Sequence, residues 1–360
     1  MSVLPREVLT LALSHFQLDS KWVSCESYGC GHINNTQLVV TESGRRYILQ
    51  KISEQAFKDV PGLMENIQGV TEHLRAKAEE PKNVLTLVPT LDGQCFAHDE
   101  NGYWRVYDFV EDTVCLQAPE SEQDFYESAV AFGQFQEQLA DFPVEKLHET
   151  IVNFHNTPDR YRIFHEVLER DVMGRAKDVQ AEIDFVLARE EEAGLAQRMM
   201  EAGQLPRRVT HNDTKLNNVL LNAETHKAMC VIDLDTVMPG LSIFDFGDSI
   251  RFGAATAAED EKDLSKMTMS LDLFRTYTRG FLKACPGLSE AEIEMLPAGA
   301  KTMTLECGLR FLTDYLDGDH YFAVHREGQN LDRCRTQFKL VQDMEAKWDE
   351  MKKIVMEERV

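Results

Sequence analysis

The chain has 360 residues, 43% of them hydrophobic and 28% charged, the balance of an ordinary globular protein large enough for one big domain or two lobes. Lys and Arg number 38 against 61 Asp and Glu, and the resulting net charge of −23 disfavours a nucleic-acid partner. No apolar run approaches the roughly 20 residues of a membrane span, and the opening Met-Ser-Val-Leu-Pro-Arg-Glu has no basic-then-apolar leader pattern. The expected address is therefore the cytoplasm, with no membrane contact and no protein partner indicated.

The first hundred or so residues read mostly as strands and turns. Residues 28 to 35, Tyr-Gly-Cys-Gly-His-Ile-Asn-Asn, form a turn-rich loop. Runs at 37–40 and 46–52 flank the turn Thr41-Glu-Ser-Gly44 and predict a hairpin. Leu63, Ile67, Val70 and Leu74 share one face of a predicted helix over 62–77. Phe96-Ala97 and the run from Trp104 to Val110 predict two more strands across Asp99-Glu-Asn-Gly102.

Beyond residue 111 the pattern changes to long helices. Phe125, Ala129, Phe132, Phe135 and Leu139 make a stripe that Pro143 ends. Leu271, Phe274, Tyr277 and Phe281 make a second, and Leu305, Leu309, Leu312 and Leu316 a third. A final helix is expected to carry Phe338, Val341, Trp348 and Met351. Such stripes are core, because helical spacing by itself never marks a cofactor site. The eight cysteines are scattered without a Cys-x-x-Cys pair, so reduced thiols are expected.

Residues 207–236 break the helical pattern. Arg208-Val-Thr210 reads as a short strand entering the polar run His211-Asn-Asp-Thr-Lys-Leu-Asn-Asn218. Val219 to Leu221 and Met229 to Ile232 follow as two paired strands. Phosphoryl transfer needs a base or positioner for the attacking hydroxyl, metal ligands, and cations or N–H groups on the phosphates. Asp213 and Asn218 have the H-x-D-x₄-N order of kinase catalytic loops. The hairpin after them returns Asp233 towards Asn218, so an amide oxygen and a carboxylate can face one Mg²⁺. Asp235 is a candidate second ligand, since alternation puts it on the same face as Asp233. Each residue alone would also serve as a turn cap or loop polar; the ordered set is what points to phosphoryl transfer.

Asp245-Phe-Gly247 spells the metal-binding triplet of protein kinases but lies 27 residues beyond Asn218. The metal role therefore goes to Asp233, and Asp245 is expected to anchor the catalytic loop through backbone N–H groups or to cap the next helix. Gly29 and Gly31 let backbone N–H groups approach phosphates, in the right order upstream of the loop, though Gly-x-Gly also makes ordinary turns.

With these residues in place, the chain resembles the aminoglycoside phosphotransferase and choline kinase superfamily, a branch of the protein-kinase-like fold, and within it the bacterial N-acetylhexosamine 1-kinases. The resemblance rests on Tyr28-Gly-x-Gly-His-Ile-Asn34, Arg46-Tyr-Ile-Leu-Gln50, Trp104-Arg-Val-Tyr107, Val209 to Asn218, Ile232-Asp-Leu-Asp-Thr236, Pro239-Gly240 and Phe244 to Gly253. Glu306 to Tyr315 and Tyr321-Phe322 also fit, and Asn212 with Thr214-Lys215 departs from the superfamily's commoner H-G-D-x-H-x-x-N.

The resemblance implies an α+β bilobal fold, with a strand-rich N-lobe over 1–111 and a mainly helical C-lobe over 112–360. It implies ATP and Mg²⁺ as cofactors and transfer of the γ-phosphate to the anomeric hydroxyl of a small sugar, N-acetylglucosamine or N-acetylgalactosamine. Asp213 would be the base, Asn218 and Asp233 the metal ligands, and Phe109, Val110 and Glu111 the hinge that holds adenine. His32, Arg310 and Tyr321, with Asp213, would contact the sugar. Where the kinase pattern has a lysine on the third strand, this chain has Gln50, with Lys51 on the opposite side. Either Gln50 makes a neutral phosphate contact or a bulge turns Lys51 inward, and Lys215 is expected to supply charge to the γ-phosphate. Glu65 or Glu72 would be the partner of such a lysine. The alternatives are a same-fold kinase for homoserine, a methylthio-sugar or an aminoglycoside, and a nucleotide-binding pseudokinase.

Overall fold

A computed structural model describes residues 3–29, 31, 33–80 and 83–359. Its first third is built on a five-stranded antiparallel sheet in the order β1-β2-β3-β5-β4. The strands are β1 (Trp22–Ser27), β2 (Asn35–Thr41), β3 (Arg46–Lys51), β4 (Ala97–Asp99) and β5 (Gly102–Asp108). The hairpin expected around Thr41-Glu-Ser-Gly44 joins β2 to β3, and Gly44 takes the positive φ of +88° that such a turn requires.

Alternation along β3 gives the sheet two packed faces. Tyr47 and Leu49 join Leu9 and Leu13 of α1 (Arg6–Ser14), a helix that the strand-like reading of this region missed. Ile48 points the other way, into a cluster with Leu63, Met64, Ile67 and Val70 of α2 (Val60–Lys77). Asp59 starts α2 by accepting from the Gly62 N–H, with Pro61 in the first turn where its missing N–H costs nothing.

The sheet ends at Asp108, and β6 (Thr113–Cys115) belongs to another sheet, paired with β8 (Val219–Asn222) of the order β6-β8-β9. Between them run α3 (Glu122–Gln138), α4 (Thr157–Arg170), the short α5 (Gln180–Leu187), α6 (Glu190–Ala193) and α7 (Leu195–Glu201), and β7 (Arg208–Thr210). β9 (Ala228–Val231) completes that sheet, and β10 (Met238–Gly240) pairs with β7.

The rest is helical: α8 (Ser242–Gly253), α9 (Leu271–Ala284), α10 (Glu290–Asp317), α11 (Gln329–Ala346) and α12 (Trp348–Glu357). The expected final helix is thus two, broken at Lys347. α10 is the spine, held at its start by a Ser289–Glu292 capping box and ended by Gly318 in the left-handed region. It packs on α4, α8 and α11, while α3 packs on α9. Where α8 meets α10, Gly247 and Gly299 bring the backbones together; a Cβ on Gly299 would lie 2.2 Å from the Ile243 carbonyl oxygen.

The cluster under α2 continues across the connection at 109–112 into Val209, Cys230, Leu234 and Val237. The two halves therefore share apolar core beside the cleft between them. Among the described residues every cysteine is free, and no helix is long and apolar enough to cross a membrane.

Candidate active site

The loop 211–218 is shaped by a carboxylate from α8. Asp245, fully buried, accepts from the backbone N–H of His211 at 2.9 Å and of Asn212 at 2.7 Å, and from Gln136 Nε2 of α3 at 2.8 Å. This is the first of the two roles expected for Asp245; the cap position of α8 is Leu241, without a side-chain cap. Burial pushes the Asp245 carboxyl above its ordinary range, and His211 with the backbone donors pulls the other way. Further along the loop, Thr214 Oγ1 donates to the Asp245 carbonyl at 2.5 Å and Ser249 Oγ donates to the Thr214 carbonyl at 2.7 Å. Asp245 and Ser249 of α8 thus grip three residues of the loop, His211, Asn212 and Thr214.

Asn212 has φ +64°, a left-handed conformation that Asn tolerates and larger side chains resist. That explains a Gly or an Asn at this position. The Asn side chain adds cross-links to Thr210 Oγ1 at 2.9 Å and to the Thr236 carbonyl at 2.8 Å, joining the loop to the turn after Asp233.

Asp213 and Asn218 meet. Asn218 Nδ2 donates to the Asp213 carbonyl at 2.8 Å and to Asp213 Oδ2 at 3.1 Å. With its nitrogen turned inward, the Asn218 amide oxygen is left to face a ligand. The Ile232 N–H donates to the Asn218 carbonyl at 2.9 Å, so the strand carrying Asp233 lies beside Asn218 as the hairpin argument required. Asp233 has φ +59° and opens a 3-10 turn over Leu234–Thr236. Crowding by protein, then the negative charges of Asp235 and Asp213, push its carboxyl up to about 6. Carboxylates converging in this way suit a divalent cation, and one amide oxygen with one carboxylate is a donor set that fits Mg²⁺, which keeps waters and phosphate oxygens for its remaining positions. Among the described residues no cluster of three or more His, Cys, Asp or Glu forms a denser metal cage.

Lys215 Nζ lies 2.7 Å from Asp213 Oδ1. Burial works against its charge, but Asp213 and Asp248 outweigh that and raise its pKa. The cation expected at the γ-phosphate is thus paired with Asp213 in this structure.

Asp235 departs from the expectation of a second metal ligand. Both its oxygens are engaged: Arg105 of β5 forks onto them at 2.5 and 2.9 Å, and Asn34 Nδ2 donates to Oδ2 at 2.5 Å. Arg105 and Asp235 are both buried. Gln50 stands opposite Arg105 in the β3–β5 ladder; its Oε1 accepts from Arg105 Nε at 2.8 Å and its Nε2 donates to Thr36 Oγ1 at 2.9 Å. Lys51 stays on the other face, over the Trp104 ring at 5.8 Å, so no bulge turns it inward. Glu65 pairs with His148 and Glu72 accepts from Gln68, both at the surface, so neither serves a lysine of β3.

Sequence reasoning missed Arg105 as a site residue. Its signal was an arginine at the centre of an apolar strand, a position that demands a buried carboxylate partner.

Gly29 lies in the loop between β1 and β2 with φ +76°, which glycine alone adopts freely, and a Cβ on Gly29 or Gly31 would meet open space. Tyr28 closes the loop's base through its N–H to the Thr36 carbonyl and sets its ring edge-on to Phe109 at 5.8 Å. Arg46 covers the same ring at 4.1 Å and ion-pairs with Glu111. Of the expected hinge groups, the Phe109 N–H is already bonded to the Arg46 carbonyl and the Val110 carbonyl to Thr113 Oγ1.

On the far side of the loop, His155 bonds Glu306 Oε1 at 2.9 Å and the Asn212 carbonyl at 3.1 Å. Both partners only accept, so the ring donates from both nitrogens and is a buried imidazolium. Arg310, one turn beyond Glu306 on α10, donates to Tyr321 Oη at 3.3 Å and lies against the rings of Phe154 and Phe322. Tyr321 is 69% exposed. The structure thus joins Arg310 to Tyr321 and links them to the loop through Glu306 and His155. His32 lies outside the described residues.

Fold and loop together define a protein-kinase-like phosphotransferase scaffold. The sequence matches the phosphotransferase enzyme family APH over residues 25–267, more than half of the chain, and the protein belongs to that family. Among solved structures it is similar to a microcompartment-associated aminopropanol kinase, with 17% identity, a TM-score of 0.62 and coverage of 96% of this chain and 98% of that one. An aminoglycoside phosphotransferase from Alicyclobacillus acidocaldarius shows 14% identity, a TM-score of 0.62 and coverage of 99% and 98%. An amicoumacin kinase in complex with AMP-PNP, Ca²⁺ and its antibiotic shows 14% identity, a TM-score of 0.58 and coverage of 95% and 93%.

Proposed function

We propose that the protein is an ATP- and Mg²⁺-dependent kinase that phosphorylates an N-acetylhexosamine, N-acetylglucosamine or N-acetylgalactosamine, at O1. The observation that carries the kinase reading is that Asn218 bonds Asp213 while the segment entering Asp233 bonds Asn218, which would bring a base and two metal ligands together. The amicoumacin kinase, solved with an ATP analogue and Ca²⁺, is an analogy for a nucleotide and a divalent ion in this cleft.

In this reading Asp213 orients the acceptor hydroxyl and takes its proton as the oxygen attacks the γ-phosphorus and the bond to the β-phosphate oxygen breaks, releasing ADP. The ion held by Asn218 and Asp233 would offset charge on the phosphate oxygens. Lys215, ion-paired with Asp213, would supply charge to the γ-phosphate. Gly29 and Gly31 border the phosphates, and the remaining backbone groups of Phe109–Glu111 border adenine.

Arg310 and Tyr321 border the acceptor. Arg160, mostly buried, has its pKa lowered by burial and then by Arg310, so two guanidinium groups stand close together at this end. Such a wall opposes an ammonium-bearing acceptor and favours a neutral, hydroxyl-rich one. The choice of an amino sugar and of O1 rests on the sequence resemblance.

The test is ATP turnover against N-acetylglucosamine, N-acetylgalactosamine, homoserine, a methylthio-sugar, an aminoglycoside and choline, with product assignment by phosphorus NMR. Wild type should form a sugar 1-phosphate, and Asp213→Asn should lose at least about a hundredfold in kcat. Lys215→Ala with unchanged kcat would remove Lys215 from the mechanism. ATP binding without turnover on any acceptor would favour a scaffold.

A further inference from the structure

We propose that Arg105 supplies, from β5, the cation that β3 lacks at Gln50, and that it acts as a positioning residue by holding Asp235 and thereby aiming Asp233 at the metal. The inference rests on reading Asn218 and Asp233 as the metal ligands.

The displaced charge is visible in the ladder. Gln50 and Arg105 are direct partners across β3 and β5, and both ends of the Gln50 amide are engaged. Where a glutamate of α2 would meet a strand lysine, the Arg105 guanidinium meets Met64 Sδ at 3.9 Å. Its ionic partner is instead Asp235, 130 residues away in the other half of the molecule. The usual pair within one lobe is replaced by a pair that spans the cleft.

Arg105 is 1% exposed, so it does not reach the phosphates as a strand lysine would. What it can reach is the backbone turn that carries Asp233. Asp235 lies two residues on, inside the same 3-10 turn, and a bidentate arginine fork fixes a carboxylate in direction as well as distance. Asn34 reinforces the grip: its Nδ2 donates to Asp235 while its Oδ1 accepts from the Ser53 N–H, so the loop before β2 and the segment after β3 are tied to the same carboxylate. Asp233 in turn holds a left-handed backbone, which Asp adopts more readily than most residues and which turns the chain into the 3-10 segment that carries Asp235. Two N-lobe segments thus meet at Asp235, with Ser53 bracing Asn34 from behind, and set the angle at which Asp233 is presented. The Arg105 charge also offsets the mutual repulsion of Asp233 and Asp235.

Removing the fork should weaken metal binding more than nucleotide binding, because the side-chain bonds of Arg105 and Asp235 go to each other, Gln50, Met64 and Asn34 and not to the hinge at 109–111. The measurement is calorimetric binding of Mn²⁺ in the presence of a non-hydrolysable ATP analogue, beside binding of the analogue alone. Arg105→Met should raise the Mn²⁺ dissociation constant at least tenfold and change analogue affinity less than threefold; Arg105→Lys should recover part of the loss. The buried Asp235 left by Arg105→Met is a folding hazard, so Arg105→Met/Asp235→Asn removes both charges and keeps an acceptor for Asn34. That double variant should melt near wild type and still bind Mn²⁺ at least tenfold more weakly. A folded double variant with wild-type Mn²⁺ affinity would overturn the proposal. Asp233→Asn separates the two readings: if it leaves Mn²⁺ affinity unchanged the metal site itself is misassigned, and if it alone weakens binding the error lies in the fork.

Discussion

Replacing Asp245 by Ala tests whether the loop 211–218 is held from α8. The carboxylate receives the His211 and Asn212 N–H groups and Gln136 Nε2, and none of its surface reaches solvent. Truncation leaves three donors facing a void. An orphaned buried donor costs roughly 1–3 kcal/mol, and a pocket of one carboxylate's volume readmits too little water to satisfy all three, so a loss of about 3–5 kcal/mol is expected. Asp245→Asn keeps one carbonyl oxygen and turns an NH₂ towards at least one of the same donors. Its loss should be smaller, about 1–3 kcal/mol. Urea unfolding followed by far-UV circular dichroism gives the stability change, and kcat on the accepted substrate gives the functional one. Because two of the donors, the His211 and Asn212 N–H groups, lie just before Asp213, both variants should lower kcat under conditions where the protein is fully folded. An Asp245→Ala protein within about 0.5 kcal/mol of wild type would refute the anchoring argument.

The His155–Glu306 pair predicts a pH window for stability. Burial alone would lower the His155 pKa, but Glu306 raises it above the ordinary 6.5. Burial raises Glu306, and His155 with Thr157 brings it below the ordinary 4.5. The histidine's contribution is complete below about 6.5 and fades as pH rises through its folded value. The glutamate's contribution is complete above about 4.5 and fades as pH falls through its folded value. The stability difference between wild type and Glu306→Gln should therefore be largest between those two pH values and shrink above them; a difference flat from pH 5 to 9 would rule out the buried imidazolium. Gly299→Ala should destabilise by about 1–3 kcal/mol, since its Cβ would meet the Ile243 carbonyl oxygen and force α8 off α10. A shift of α8 also moves Asp245, so kcat should fall with thermal midpoint, and an unchanged midpoint would show that the crossing is looser than these distances imply.

What the sequence alone determined is local. The hairpin around Gly44, the stripes of α2, α3, α9 and α10, and the spacing from Asp213 to Asn218 lie within short stretches. There the period of hydrophobicity or a turn residue dictates the conformation. The return of Asp233 to Asn218 was legible for the same reason, since only one hairpin separates them. Apart from α1 and the break at Lys347, the readings that changed depended on distant partners. Asp235 looked like a ligand because alternation was extended past the end of β9; a left-handed Asp233 and a 3-10 turn follow instead, and they carry Asp235 onto Arg105. Arg105 was passed over as a residue of a strand motif until β5 was seen opposite β3. His155 and Glu306 stand 151 residues apart, and nothing in either neighbourhood names the other. A buried charge must be paired, so sequence can say that Arg105 needs a carboxylate. Only the tertiary fold, by closing one lobe against the other, decides that the carboxylate is Asp235 and so places an N-lobe cation behind the turn that carries Asp233.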